Sequence, residues 1–145
     1  MALDASRVFS GTFGELWHDG EWLTNVTGVE ATVEIAKEDV PRAGTRWLGK
    51  KVMSLDGTGT ITGYFVTTDL IERIGQIADD RNGEFITELI VALKDPDAYG
   101  HYRVRLKNVT FDSIPLVNYE VGSFVEIELP FTFQGYTLLD RVSAE

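Results

Sequence analysis

The sequence predicts a mainly β fold, an antiparallel β-barrel or sandwich with one flanking α-helix. Three observations carry this reading. Residues 117–133 (VNYEVGSFVEIELPFTF) alternate strictly, with Val125, Ile127, Leu129, Phe131 and Phe133 on one side and Glu126, Glu128 and Thr132 on the other. The same division returns where Val29, Ala31, Val33 and Ile35 oppose Glu30, Thr32 and Glu34, and where Ile61 and Phe65 oppose Thr58, Thr60 and Thr62. A helical stripe is visible in one segment, through Leu70, Ile71, Ile74, Ile77 and Ala78. One side of the expected sheet is large and apolar, whereas the other carries carboxylates that cannot be buried without partners. The sheet therefore has a dry face packed inside the subunit and an acidic face that lines something aqueous.

Taken in order, residues 11–17 read as a strand and Asp19-Gly20 as a tight turn, with residues 21–26 returning as the second arm of a hairpin. The alternation of residues 29–35 follows. Residues 37–45 (KEDVPRAGT) break it with a Pro and a Gly, which predicts an extended loop, spanning about 37–51, that reaches away from the body. Residues 47–55 form a strand, Asp56-Gly57 a turn, and residues 58–66 another strand. Thr67-Thr68-Asp69, with Glu72 three residues after Asp69, resembles a capping box, and Asn82-Gly83 ends the helix. That helix lies across the dry face or plugs an open end. Residues 84–94 give a strand burying Phe85, Leu89, Val91 and Leu93, and Asp95-Pro96-Asp97 leads into a surface loop. In residues 101–107 Tyr102, Val104 and Leu106 oppose His101, Arg103, Arg105 and Lys107, after which apolar parity switches to Val109 and Phe111. A one-residue slip inverts both faces, so a bulge is expected near Asn108.

The 145 residues suit a single domain, 1–145, long enough to bury roughly two-thirds of the unfolded chain's surface without a staple. Cysteine is absent, which excludes disulfides and thiolate metal sites. No leader pattern opens the sequence, and no run approaches the roughly 20 apolar residues of a membrane span. A formal charge of −10 argues against gripping nucleic acid, because phosphate binding relies on Lys and Arg displacing counterions.

Candidate sites read mostly as structure. His18, in a hairpin turn, and His101, beside a loop, lack metal-ligand spacing and read as surface histidines. Glu30 with Glu34, and Glu126 with Glu128, recur at strand spacing without nearby aromatic residues, which suits a solvated face better than a glycosidase pair. The glycines of residues 57–63 precede a strand instead of a helix, so they do not form a phosphate loop, and Gly59 and Gly63 mark close approach of neighbouring groups. Trp17, Trp22 and Trp47 read as core packing, with a sugar-stacking platform as the competing reading. Arg42, Arg46, Lys50 and Lys51 gather 4 of the 13 basic residues within ten positions of an acidic chain. A basic projection complements another copy's carboxylates, which makes this segment a self-assembly contact.

Taken together, SGTFGELWHDGEW, the loop ending RWLGKK, DGTGTITGYFVTT running into the helix, and the closing FDSIPL and VEIELPFTF resemble the tail tube proteins of contractile phages and phage-like particles, of the PBSX-prophage type. The resemblance spans nearly the whole chain. It implies a tail-tube fold whose six subunits close a ring, each lending about four strands to a shared barrel, with rings stacked into a hollow tube. It implies no catalysis and no cofactor. Partners would be the chain itself, a tail sheath protein, and baseplate and tail terminator proteins, in a virion or particle tail assembled in the bacterial cytoplasm. Residues Glu30, Thr32, Glu34, Thr58, Thr60, Thr62, Glu126, Glu128 and Thr132 would line the lumen and let DNA pass without adhering. Pro41, Arg42, Arg46, Trp47, Lys50 and Lys51 would form the inter-subunit loop, and His101, Arg103, Arg105 and Lys107 an outer face toward the sheath. The competing reading is a carbohydrate-binding β-sandwich module, followed by a small enzyme or ligand-carrying barrel.

Overall fold

The computed structural model describes residues 5–18, 21–65 and 69–142. Its strands are β1 (Gly14–His18), β2 (Glu21–Trp22), β3 (Val26–Val40), β4 (Gly49–Tyr64), β5 (Thr87–Leu93), β6 (Tyr102–Phe111), β7 (Glu126–Phe133) and β8 (Gly135–Asp140), with a helix α1 (Asp69–Ile74) between β4 and β5. All strand pairings among the described residues are antiparallel.

The strands form two layers that share a corner. The first layer runs β2-β1-β5-β6-β8, and the second runs β3-β4-β7 and ends on the last residues of β6. Strand β6 passes from one layer to the other at Asn108. Thr87 faces Val109 while Leu89 faces Leu106, so two residues of β6, Lys107 and Asn108, oppose Glu88 alone on β5, and Asn108 takes a left-handed φ of 51°. This is the expected bulge, and it turns Val109 and Phe111 onto the same core as Leu106. Asn tolerates that conformation better than other non-glycine residues. Asn108→Ala is therefore expected to cost about 1 kcal/mol while Asn108→Gly stays near neutral, as read by urea unfolding. On the matching edge, the Gln134 N–H donates to the Lys107 carbonyl at 3.0 Å, so the chain bends between β7 and β8 where β6 does.

The core lies between the layers. Leu16, Leu89 and Leu106 come from the first, Val109, Ile61, Leu129, Phe131 and Phe133 from the second, and Ile74 from α1. Phe85, Phe111, Phe131 and Phe133 form a continuous chain of ring contacts with centroids 6.2–6.4 Å apart. Asp95, buried before the β5–β6 loop, accepts hydrogen bonds from Ser10 N–H at 2.9 Å and Asp97 N–H at 3.0 Å, tying the N-terminal segment to that loop.

The architecture is the expected antiparallel sandwich, open and not closed into a barrel, because among the described residues β3 and β2 each end a layer without pairing to one another. Several other expectations need correction. Asp56-Gly57 is no turn but the middle of β4, with Asp56 opposite Glu34 and Gly57 opposite Val33. Residues 37–40 are the continuation of β3 and pair with residues 49–52, so the extended loop at 37–51 is the end of a long hairpin with a tip at 41–48. Residues 117–125 are not strand; β7 starts at Glu126. The α-helix is shorter than expected, finishing in a 3-10 turn at Gly75–Ala78 before Asn82-Gly83 is reached. Thr67, Thr68 and the Asp69 side chain, the expected cap, and the Asp19-Gly20 turn lie outside the described residues. His18 is no surface histidine: it is 5% exposed, with Nε2 2.8 Å from Thr87 Oγ1. Trp22 and Trp47 are not core either, being 49% and 79% exposed, whereas half-buried Trp17 stacks with Trp22 as the expected cross-strand pair, with centroids 6.1 Å apart.

Candidate functional site

Register, more than proximity, builds the candidate site. Residues directly opposite in antiparallel strands project to the same face. In the second layer Thr32 faces Thr58, which faces Thr132, which faces Thr110. The neighbouring rows are Glu30 with Thr60 and Pro130, Gly28 with Thr62 and Glu128, Glu34 with Asp56, and Tyr64 with Glu126. Every residue expected on the wet side of the sheet therefore shares one face. Thr110 and Thr132 Oγ1 atoms lie 3.0 Å apart, while Glu30, Glu34, Asp56, Glu126 and Glu128 are exposed. No Lys or Arg occupies these rows.

The opposite face explains the glycines. Val29, Val33, Ile61, Leu129, Phe131 and Phe133 point into the core, and the aromatic rings of β7 pack against Gly57 and Gly59 of β4. A Cβ on Gly57 would sit 2.6 Å from the Phe133 ring, and one on Gly59 would overlap the Glu30 carbonyl oxygen and the Phe131 ring. At Gly63 it would meet the Asn25 carbonyl oxygen at 2.7 Å. Gly59 and Gly63 are thus sites of close approach, as their sequence context suggested.

Asp56, Tyr64 and Thr110 belong to the acidic face but escaped the sequence reading. The parity of Thr58, Thr60 and Thr62 already reaches Asp56, which Asp-Gly turn chemistry disguised; Thr110 becomes legible once the bulge at Asn108 is allowed for.

Beyond Glu34 and Asp56 the β3–β4 ladder leaves the body as an arm. Residues 34–56 are exposed apart from half-buried Gly49. A register shift at Ala36/Lys37 twists the arm before its tip. At the tip the Arg42 guanidinium donates to the Trp47 carbonyl at 3.3 and 3.4 Å, and the Trp47 N–H donates to Thr45 Oγ1 at 3.2 Å. Lys50 pairs with Asp39 across the ladder, and Lys51 faces Glu38. The basic cluster is therefore partly compensated within its own arm. Pro41, Arg42, Arg46 and Trp47 cap the projection, while Lys50 and Lys51 lie on its shaft.

The basic set of β6 lies on the outer face of the first layer, on the far side of the core from the acidic face. Arg103 faces Ala92 and Asp140, and Arg105 faces Ile90 and Thr137. Arg103 Nε donates to Asp140 Oδ2 at 2.5 Å, and Arg105 forms a forked pair with Glu88, so both guanidiniums have acidic partners inside the subunit. His101 is exposed just before β6, and Lys107 faces Gly135. Among the described residues no group of three or more His, Asp or Glu could hold a metal.

Comparison with known proteins adds an independent line. The sequence profile of a family described as phage tail tube protein matches residues 1–140. The chain is 33% identical over 144 residues to the phage-like element PBSX protein XkdM of Bacillus subtilis (strain 168), covering 99% of this chain and 98% of that one. It is 32% identical to the uncharacterized protein YqbM of the same strain, covering 99% of each chain. In fold it resembles the tube-terminating cap of the anti-feeding prophage, with a TM-score of 0.76 at 11% identity over 99% of this chain and 95% of that chain. It also resembles a chain of the sheath-tube complex of an extracellular contractile injection system, with a TM-score of 0.74 at 11% identity over 98% and 100% of the two chains.

Proposed function

The chain belongs to the phage tail tube protein family, and from that premise we propose that it is the repeating structural subunit of a hollow contractile-tail tube, with six copies to a ring and rings stacked end to end. The observation that carries this reading is the second layer itself: a sheet with an acidic, hydroxyl-rich outer face whose end strand, β3, runs 15 residues with no strand paired along its outer edge among the described residues. A long unpaired edge invites edge-to-edge pairing. Closing such sheets into a shared barrel removes every edge and turns Glu30, Thr32, Glu34, Thr58, Thr60, Thr62, Glu126, Glu128 and Thr132 toward a common bore. A bore of that composition repels phosphate, so DNA or ions pass through without specific binding.

The basic outer face of His101, Arg103, Arg105 and Lys107 is then the side on which a tail sheath docks through carboxylates. Because Arg103 and Arg105 already pair with Asp140 and Glu88, that contact exchanges ion pairs and adds steering more than affinity. Baseplate and tail terminator proteins meet the two ends of the stack, and the subunit waits in the bacterial cytoplasm until the particle is released. Electron microscopy of the purified chain tests the reading. Six-fold rings or tubes are expected; a uniform population of monomers at high concentration would sink it.

A further inference from the structure

The arm and the loop before β7 carry apolar side chains that the subunit leaves uncovered. On the arm these are Ile35, Trp47, Leu48, Val52, Met53 and Leu55, of which Trp47 is 79% exposed. Ile35 and Leu55 are opposite partners in line with the core side of the sheet, so the arm extends the dry face past the end of the body. At the other end of β4, Leu116, Val117 and Tyr119 with Phe65, Val125 and Ile127 frame an open pocket of about 510 Å3. Its rim carries Glu126 and Glu128.

The two surfaces match in charge as well as in polarity. Residues 37–51 hold Lys37, Arg42, Arg46, Lys50 and Lys51 against Glu38 and Asp39, a net of +3. Residues 112–128 hold Asp112, Glu120, Glu126 and Glu128 with no Lys or Arg, a net of −4. Leu55 at the base of the arm and Tyr64 beside the pocket are nine residues apart on one extended strand, about 30 Å at roughly 3.3 Å per residue. With the arm leading away from that pocket, the matching surface is a second copy's. The tip is also preorganised, since the Arg42 and Thr45 side chains hold the Trp47 backbone and present its indole outward.

We propose that Trp47 at the arm tip of one copy seats in the pocket framed by Leu116, Val117 and Tyr119 of a second copy, with the arm's cations over the Glu126 and Glu128 rim. This inference rests on the tube reading and names the contact that joins successive rings. Because knob and pocket are different surfaces at opposite ends of one strand, the contact is head-to-tail and propagates without limit.

The test uses two variants of the full chain at exposed positions, Trp47→Ala to blunt the knob and Leu116→Asp to spoil the pocket. Each alone is expected to raise the protein concentration needed for tubes at least about tenfold, as truncation of a seated aromatic anchor does, with circular dichroism unchanged. Mixed together, they should form paired rings and nothing longer, because the intact arm of the Leu116→Asp protein fits the intact pocket of the Trp47→Ala protein and the remaining ends are dead. Tubes from Trp47→Ala at the wild-type concentration, or a mixture without pairs, overturn the contact while wild-type tubes keep the tube reading. Wild-type protein that forms neither rings nor tubes overturns both.

Discussion

Gly59→Ala is expected to lower the unfolding free energy by about 3 kcal/mol or more and the midpoint of thermal unfolding by roughly 10 °C. The position lies in the middle strand of the second layer, between the backbone of β3 and the ring of Phe131. A methyl group there would overlap the Glu30 carbonyl oxygen, which is held in the ladder, and Phe131, which is 0% exposed and in contact with Phe111 and Phe133. Neither neighbour is the free end of a flexible side chain, so relief requires a shift of one strand against the next. Gly28→Ala is the control: it lies in β3 of the same sheet, but its added Cβ meets nothing within 4 Å, and the change should be near neutral. The comparison belongs at a concentration below assembly, because association itself raises the apparent midpoint. Equal midpoints for the two variants would mean that β7 does not press on β4 as described.

The same glycines show how much of the fold was legible. Alternation located the acidic face, because Glu and Thr at every second position leave one way for the strand to sit, and register then aligned three strands without exception. The inversion between Leu106 and Val109 announced the bulge for the same reason. What failed were signals with two physical sources. Asp56-Gly57 has the chemistry of a tight turn, yet Gly57 is required because the Phe133 ring lies over it, a demand made by a strand more than 70 residues away. Pro41 and Gly44 mark a real tip, but they could not show that Lys37 through Val40 remain paired on its shaft. Residues 117–125 keep the pattern of a strand without a ladder to join, since alternation specifies faces and not partners. His18 was misplaced because a hairpin end is normally wet; here the Thr87 hydroxyl and the edge of Phe85 close over it.

Of the candidate site, the acidic face was readable apart from Asp56, Tyr64 and Thr110, while the pocket at the foot of β7 was not. Leu116, Val117, Tyr119 and Phe124 in a linear sequence look like core material. Their exposure emerges only when the sandwich is filled without them. The arm was visible as a basic interruption, but its apolar side chains fell under strand and core readings because nothing in a sequence marks where the body of a subunit ends.

If the proposed tube holds, replacing Glu30, Glu34, Glu126 and Glu128 together with Lys is expected to convert its acidic bore into one that holds DNA. Each substitution changes the charge by two, which makes eight per subunit on a face now free of cations. Duplex DNA carries a negative charge about every 1.7 Å along its axis, so a lysine-lined tube would release counterions on contact, which the acidic tube cannot do. Wild-type tubes incubated with fluorescent duplex should sediment without it, whereas the Lys variant should carry it down at about 50 mM salt. If four phosphates are neutralised, retention should weaken on the order of a hundredfold between about 50 and 200 mM salt. All four positions are exposed, so rings should still form; because Glu126 and Glu128 also rim the proposed ring-joining pocket, a Glu30→Lys/Glu34→Lys pair that leaves that rim intact carries the same test on tubes, and microscopy of each sample verifies the assembly. The corresponding Gln variant removes repulsion without adding attraction and should retain little DNA at any salt. Tubes of the Lys variant that bind no more duplex than wild type would place these carboxylates outside the bore, and the inward orientation of the sheet would have to be reversed.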